Sequence, residues 1–291
     1  MMLRHKGKIS ALRPKDLFVY ECEGSHAPLG EPDESGFLGI WAEHPFYYMF
    51  FGQEAGPGFF RWLEKQRGWR LRRCYHLPYD QWQQTSAERL QVGRFVIELN
   101  PGAAAAAEPG DGIAIRLDPG VVFGSGLHGS TRGCLLAVAR LLGRLTVDSV
   151  VDMGTGTGIL AISCVKLGVA RVLAIDKNPL AIRTAQKNIL LNGMEHQVKL
   201  FVGESLGILR APSELLIMNL EYYALQCLLA EREWLRYRWV ILSGFLEGQW
   251  DELSRCIPPV FRLQHRTTVD GWLTVTISKD GRPDGKGEDP I

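Results

Sequence analysis

Seven residues constrain this chain more than any others: Asp152-Met153-Gly154-Thr155-Gly156-Thr157-Gly158. A valine-bearing segment, 147–152, runs into three glycines spaced two apart, and an apolar run, 159–167, follows and closes at Gly168. Glycine tolerates positive φ, so this pattern predicts a strand, a tight turn and a helix. The same grammar continues downstream. Strands are expected at 171–176, 198–202, 215–219 and 239–243. Helices are expected at 179–191, where Asn192-Gly193 ends the pattern, and at 222–235 and 248–256. Runs at 261–268 and 272–278 read as a closing antiparallel hairpin. Strand and helix in strict alternation predict an α/β fold, a mostly parallel sheet covered on both faces.

In such sheets ligands bind beyond the carboxyl ends of the strands, so the glycine loop is the candidate site. Its spacing selects among ligands. A phosphate-binding P-loop needs Lys and then Ser or Thr after its last glycine, and Ile159-Leu160 stand there. A dinucleotide fingerprint, G-x-G-x-x-G counted from Gly154, places its third glycine on Ile159, whereas Gly158 comes one residue early. Asp152 before the loop would oppose a pyrophosphate. It suits a cofactor with a cationic end, and S-adenosylmethionine carries a sulfonium and an ammonium. Asp176 closes the next strand, where a carboxylate can accept from both ribose hydroxyls. Asp152, Gly154, Gly156, Gly158 and Asp176 are therefore the candidate cofactor residues. A bare turn whose acids only cap helices leaves their order unexplained.

The first part of the chain has a different texture. Residues 17–22 read as a strand, 24–36 as a Gly- and Pro-rich loop, and 37–51 as two strands turning at Glu43-His44-Pro45. A helix at 59–68 and a strand at 71–77 complete a small α+β module, assigned to 1–77. Residues 78–112 are read as connector and linker, with a strand at 92–99 followed by Asn100-Pro101-Gly102 and five alanines. The main domain is assigned to 113–279, and the polar 280–291 to a disordered tail. With 33 basic and 32 acidic residues, the net charge of +1 creates no global field toward nucleic acid or membrane. The run Arg67, Arg70, Arg72, Arg73 reads as a solvated face, and no direct nucleic-acid partner is expected. No run approaches the roughly 20 apolar residues of a membrane span, and no leader peptide is apparent. With neither of these, a reducing cytoplasm is expected; none of the six cysteines forms C-x-x-C, which argues against a zinc ribbon, Cys134 and Cys164 read as core side chains, and no metal is expected.

Upstream of the glycine loop runs Leu117-Asp118-Pro119-Gly120-Val121-Val122-Phe123-Gly124-Ser125-Gly126-Leu127-His128-Gly129-Ser130-Thr131. With Asp152 to Gly158, Ile175-Asp176-Lys177-Asn178-Pro179, Asn188, Asn192-Gly193, Met218-Asn219-Leu220, Leu242 to Leu246 and Trp272, this segment resembles the PrmA family, which methylates ribosomal protein L11. The family pattern is L-D-P-G-x-A-F-G-T-G-x-H-P-T-T, and the resemblance covers about 78–279. It implies a class I methyltransferase domain, Rossmann-like with a C-terminal antiparallel hairpin, beside a ferredoxin-like module that recognises the ribosomal protein. It further implies S-adenosylmethionine contacts at Thr131, Gly154, Asp176 and Asn219; because Asn219 ends a strand of the core, where its amide can face the incoming amine, it is also expected to hold the nucleophile. The expected activity is N-methylation of lysine or N-terminal amines of L11 by a cytoplasmic monomer. Asn219 could instead cap the following helix. His128 lacks partners at metal-ligand spacing and reads as a loop-ordering residue. Gly129 and Ser130 stand where the family has Pro and Thr, and Val122 where it has Ala. The N-terminal module has no room for a first helix, so it is expected in reduced form. This leaves another protein or a small amine as an alternative substrate, and a non-catalytic cofactor-binding protein as an alternative class.

Overall fold

Apolar strand segments punctuated by Gly, Pro and Asn build two separate compact units. The computed structural model describes residues 14–83, 87–99, 111–203 and 207–279. Of these, 14–83 belong to the first unit and the rest to the second. The expected loose start over 1–13, the alanine linker and the 280–291 tail lie outside the described residues.

In the first unit the chain runs β1 (Asp16–Glu23), β2 (Phe37–Glu43), β3 (Phe46–Phe51), α1 (Pro57–Lys65), β4 (Arg70–Pro78) and α2 (Tyr79–Gln83). The sheet order is β2-β3-β1-β4, and all neighbours are antiparallel. Pro57 fixes the first helical φ of α1, which buries Phe59 and Trp62 against Tyr20, Cys22, Met49 and Phe51. Alternate residues of β1 supply that face because strand side chains point to opposite sides. This strand order is that of a ferredoxin-like βαββαβ unit, but a loop, 24–36, replaces the first helix, as the sequence predicts. Side-chain hydrogen bonds pin the loop, His26 Nε2 to Arg67 O at 2.7 Å among them. Gln66 Oε1 accepts from Leu29 N at 2.8 Å, Trp69 Nε1 donates to His26 O at 3.2 Å, and Glu34 Oε2 accepts from Phe59 N at 3.2 Å.

The second unit opens with β5 (Arg89–Val92), β6 (Phe95–Leu99) and β7 (Ile113–Leu117), a small sheet in that order. It continues with α3 (Gly129–Leu142), β8 (Ser149–Met153), α4 (Ile159–Lys166), β9 (Arg171–Asp176), α5 (Pro179–Leu191), β10 (Val198–Val202), β11 (Leu215–Asn219), α6 (Tyr222–Ala230), β12 (Trp239–Leu246), α7 (Trp250–Arg255), β13 (Arg262–Val269) and β14 (Trp272–Ser278). The large sheet has the order β10-β9-β8-β11-β12-β14-β13. Its first five strands are parallel, and β14 is antiparallel to both of its neighbours. Every residue of β8 is buried, including the polar Ser149 and Asp152, as befits a central parallel strand covered on both faces. The chain leaves β8 toward β9 on one side and later returns to β11 on the other. The carboxyl end of β8 is thus the switch point where a crevice opens.

Three expectations need correction. The strand expected over 92–99 is a hairpin, β5 and β6, turning at Gly93 (φ 54°), and β6 pairs in parallel with β7 inside the second unit. Residues 129–142, not assigned to a helix from sequence, form α3. The helix expected over 222–235 stops at Ala230, because Glu231 turns extended and lets Trp234 sink into the core, donate to Leu229 O at 3.2 Å and pack on Phe261.

Candidate active site

At the end of β8 the backbone takes positive φ at Gly154 (72°), Gly156 (55°) and Gly158 (84°). Close approach by the chain itself reinforces the need for glycine. A Cβ on Gly156 would stand 2.6 Å from Phe123 O, and one on Gly154 would strike the Leu220 side chain. Gly154 N and Thr155 N both donate to Ile175 O, at 2.9 and 3.0 Å, so the loop is tied to the end of β9. Gly154 therefore lies between the ends of β9 and β11, and Gly158 caps α4.

Two carboxylates flank the loop. Asp152 is wholly buried; its Oδ2 accepts from Thr155 Oγ1 at 2.6 Å, while Oδ1 has no hydrogen bond of ordinary geometry. Burial pushes Asp152 up to about 6, against the lowering effect of the Thr155 hydroxyl and the Ala161 amide. Asp176 accepts from Gly156 N at 3.0 Å through Oδ2 and from Asn178 N at 2.9 Å through Oδ1. Burial raises its pKa, and those amides and Lys177 act in the opposite direction. The nearby charge of Asp176 adds to the upward shift of Asp152. The two carboxylates thus give the end of β8 a negative environment, suited to a cation or to hydroxyl donors.

Thr131 is not on a loop, as its sequence context indicates, but in the first turn of α3, where it is buried. The reason is the cap: His128 Nδ1 accepts from Ser130 N at 3.4 Å, and the apolar face beyond Gly133 holds the helix in place. His128 also shares a hydrogen bond with Ser130 Oγ at 2.9 Å and sits between Phe123 and Trp272, with ring centroids 4.9 and 4.4 Å away. Burial lowers its pKa. Its side chain therefore orders the start of α3. Asn219 ends β11 and donates from Nδ2 to Thr131 Oγ1 at 3.4 Å. It does not cap α6, whose N-cap is Glu221. Thr131 and Asn219 thus form one pair, and Asp152, Asp176 and the glycines form the adjoining loop.

Some residues of the site have roles that only contacts reveal. Thr157 Oγ1 donates to Gly124 O at 2.6 Å, holding the 118–128 segment on the glycine loop. Asn188, buried on α5, accepts from Asp118 N at 2.8 Å and donates to Thr157 O at 2.9 Å. Gly129 stands where a Cβ would strike Val269 O, so the tip of the β13–β14 hairpin lies directly on the start of α3. Among the described residues, no group of three or more His, Cys, Asp or Glu is placed to hold a metal, and no helix is long and apolar enough to cross a membrane.

Comparison with known proteins matches this arrangement to one family. A family profile described as "Ribosomal protein L11 methyltransferase (PrmA)" matches residues 78–280. A ribosomal protein L11 methyltransferase of Xanthomonas oryzae pv. oryzae is 33% identical over 186 residues, 62% of this chain and 58% of that protein. One from Exiguobacterium sibiricum is 34% identical over 170 residues, 57% of this chain and 53% of that protein. The chain therefore spans less than two thirds of the length of these curated relatives. A crystal structure of a ribosomal protein L11 methylase from Lactobacillus delbrueckii subsp. bulgaricus superposes with a TM-score of 0.58 and 26% identity, covering 66% of this chain and 98% of that one.

Proposed function

The chain belongs to the family of ribosomal protein L11 methyltransferases, PrmA, and from that premise we propose that it transfers methyl groups from S-adenosylmethionine to amines of ribosomal protein L11. Its second unit has the Rossmann-like fold of class I methyltransferases. The observation that carries the reading is the buried Asp152, whose Oδ1 makes no hydrogen bond of ordinary geometry, behind a glycine loop without a single basic side chain. Such a site suits a cofactor with cationic groups and rejects a pyrophosphate.

In this reading Asp176 takes the ribose hydroxyls, and Gly154, Gly156 and Gly158 shape the floor. Asp152 sets the sign of the field, and Thr131 holds Asn219 toward the reacting amine. S-adenosylmethionine, when bound, supplies a methyl group on a good leaving group, so the protein contributes proximity and orientation rather than acid–base power. A substrate lysine must arrive neutral, against an ordinary pKa of about 10.4. Desolvation beside Asn219 favours that form. Asn219→Ala should lower turnover far more than cofactor affinity, and a loss of affinity alone would contradict its role. The first unit, ending at Ser86, serves as the substrate-recognition module, and the enzyme acts as a cytoplasmic monomer on a lysine or N-terminal amine.

The test combines purified protein, labelled S-adenosylmethionine and L11, with the label located by mass spectrometry. Label on L11 amines is the expected result. Cofactor binding without label on L11 would favour a second reading, methylation of a different protein. The loop that replaces the first helix of the N-terminal unit supports that alternative. Absence of cofactor binding would remove both.

A further inference from the structure

We propose that Asn188 is a positioning residue that locks the two segments of the cofactor site to each other. The segments are the 118–128 stretch after β7 and the glycine loop after β8. Neither touches the other through ladder hydrogen bonds, because β7 and β8 belong to different sheets. Beside the direct Thr157 Oγ1 to Gly124 O hydrogen bond, what joins them is a side-chain bridge from α5. The Asn188 amide is wholly buried, and both of its ends are used: Oδ1 takes the Asp118 amide at 2.8 Å and Nδ2 gives to the Thr157 carbonyl at 2.9 Å.

The bridge has flanking supports that fix its direction. One helical turn later, Asn192 Oδ1 accepts from Arg116 N at 3.1 Å, and its Nδ2 donates to Arg116 O at 2.7 Å, so α5 grips the end of β7 as a neighbouring strand would. Lys187 forms an ion pair with Asp118. On the far side, Thr157 Oγ1 closes the ring by donating to Gly124 O at 2.6 Å. The cycle Asp118, Asn188, Thr157, Gly124 determines where Phe123 O lies over Gly156. It thereby sets the path that leads into His128 and the start of α3. Only a planar side chain carrying both a donor and an acceptor can serve both segments at once. A carboxylate lacks the donor, an aliphatic side chain lacks both, and a buried amide or carbonyl left unpaired is costly.

This inference rests on the proposed use of S-adenosylmethionine, but its first readout does not. Hydrogen–deuterium exchange on the cofactor-free protein is compared for wild type, Asn188→Ala, Asn188→Asp and Ile189→Val, the last a buried neighbour that contacts neither segment through hydrogen bonds. Asn188→Ala should raise exchange in 118–124 and in 154–158 together. Asn188→Asp, which keeps the acceptor for Asp118 N, should raise it mainly in 154–158. Ile189→Val should lower the melting temperature without selective change in either segment. In binding and rate measurements, Asn188→Ala should weaken cofactor affinity and raise the cofactor KM by about tenfold, with a smaller fall in kcat. Unchanged exchange in either segment, or a fall in melting temperature with wild-type affinity, would overturn the proposal. If wild type itself does not bind the cofactor, the proposed function fails while the exchange result still decides the latch. If Asn188→Ala does not fold, Asn188→Asp carries the test.

Discussion

Asp152, wholly buried, and His128, half-buried, are ionisable residues that bear opposite relations to pH. The folded-state pKa of Asp152, about 6, lies above its ordinary 3.8, so the folded protein holds this proton more tightly than the unfolded chain. Its contribution to stability therefore declines as pH rises from about 4 to about 6 and stays low above that. Asp152→Asn should remove this decline. The variant should be more stable than wild type at pH 8, by up to about 2 kcal/mol, and should bind S-adenosylmethionine more weakly. Denaturation midpoints at pH 4.5 and pH 8 with and without cofactor check both halves, and a loss of stability at pH 8 would contradict the account. For His128 the folded pKa lies below 6.5, so the unfolded chain takes up the proton first and stability falls as pH drops below that value. Protonated Nδ1 also ceases to accept from Ser130 N. His128→Asn retains a capping oxygen, and its stability should change less between pH 7 and pH 5 than that of wild type.

The elements that the sequence made legible are those with local punctuation. Pro179 and Asn192-Gly193 bracket α5, and the observed bounds of β9, α5, β10 and β11 are those expected. Elements decided by distant contacts were not legible. Gly129-Ser130-Thr131 has little helical preference, and only the His128 cap and packing on β12 and β14 make it the first turn of α3. The turn at Gly93 lies hidden inside what reads as one strand, and the bridge made by Asn188 joins residues 70 and 31 positions away. For the site, the acids and glycines were visible because their spacing is itself the signal. The link between Thr131 and Asn219 was not, since it crosses 88 residues. The fit between α3 and the final hairpin leads to a further expectation. Gly129→Ala would drive a methyl group into Val269 O and Trp272. It should cost about 1–3 kcal/mol, read as a lowered melting temperature, with the hairpin the first region to gain exchange. Wild-type stability would show that the hairpin tip moves aside without strain.

On the scale of the whole chain, the two units have separate hydrophobic cores, one around Phe51, Phe59 and Trp62, the other in two clusters on either face of the large sheet. A chain beginning at residue 87 should therefore fold and bind S-adenosylmethionine within about threefold of the full chain. It should lose methyl transfer to L11. Isothermal titration and the label-transfer assay test these separately, and retained transfer would take substrate recognition away from the first unit. That unit also differs from a fully helical design in how it can change over time. A helix shares its hydrogen bonds along its length and melts as one body. The 24–36 segment is held instead by discrete contacts, from Gln66 and Trp69 outside it and from its own His26 and Glu34. Its length and composition can drift while those anchors stay, so this is the stretch where the unit can acquire a new specificity without refolding.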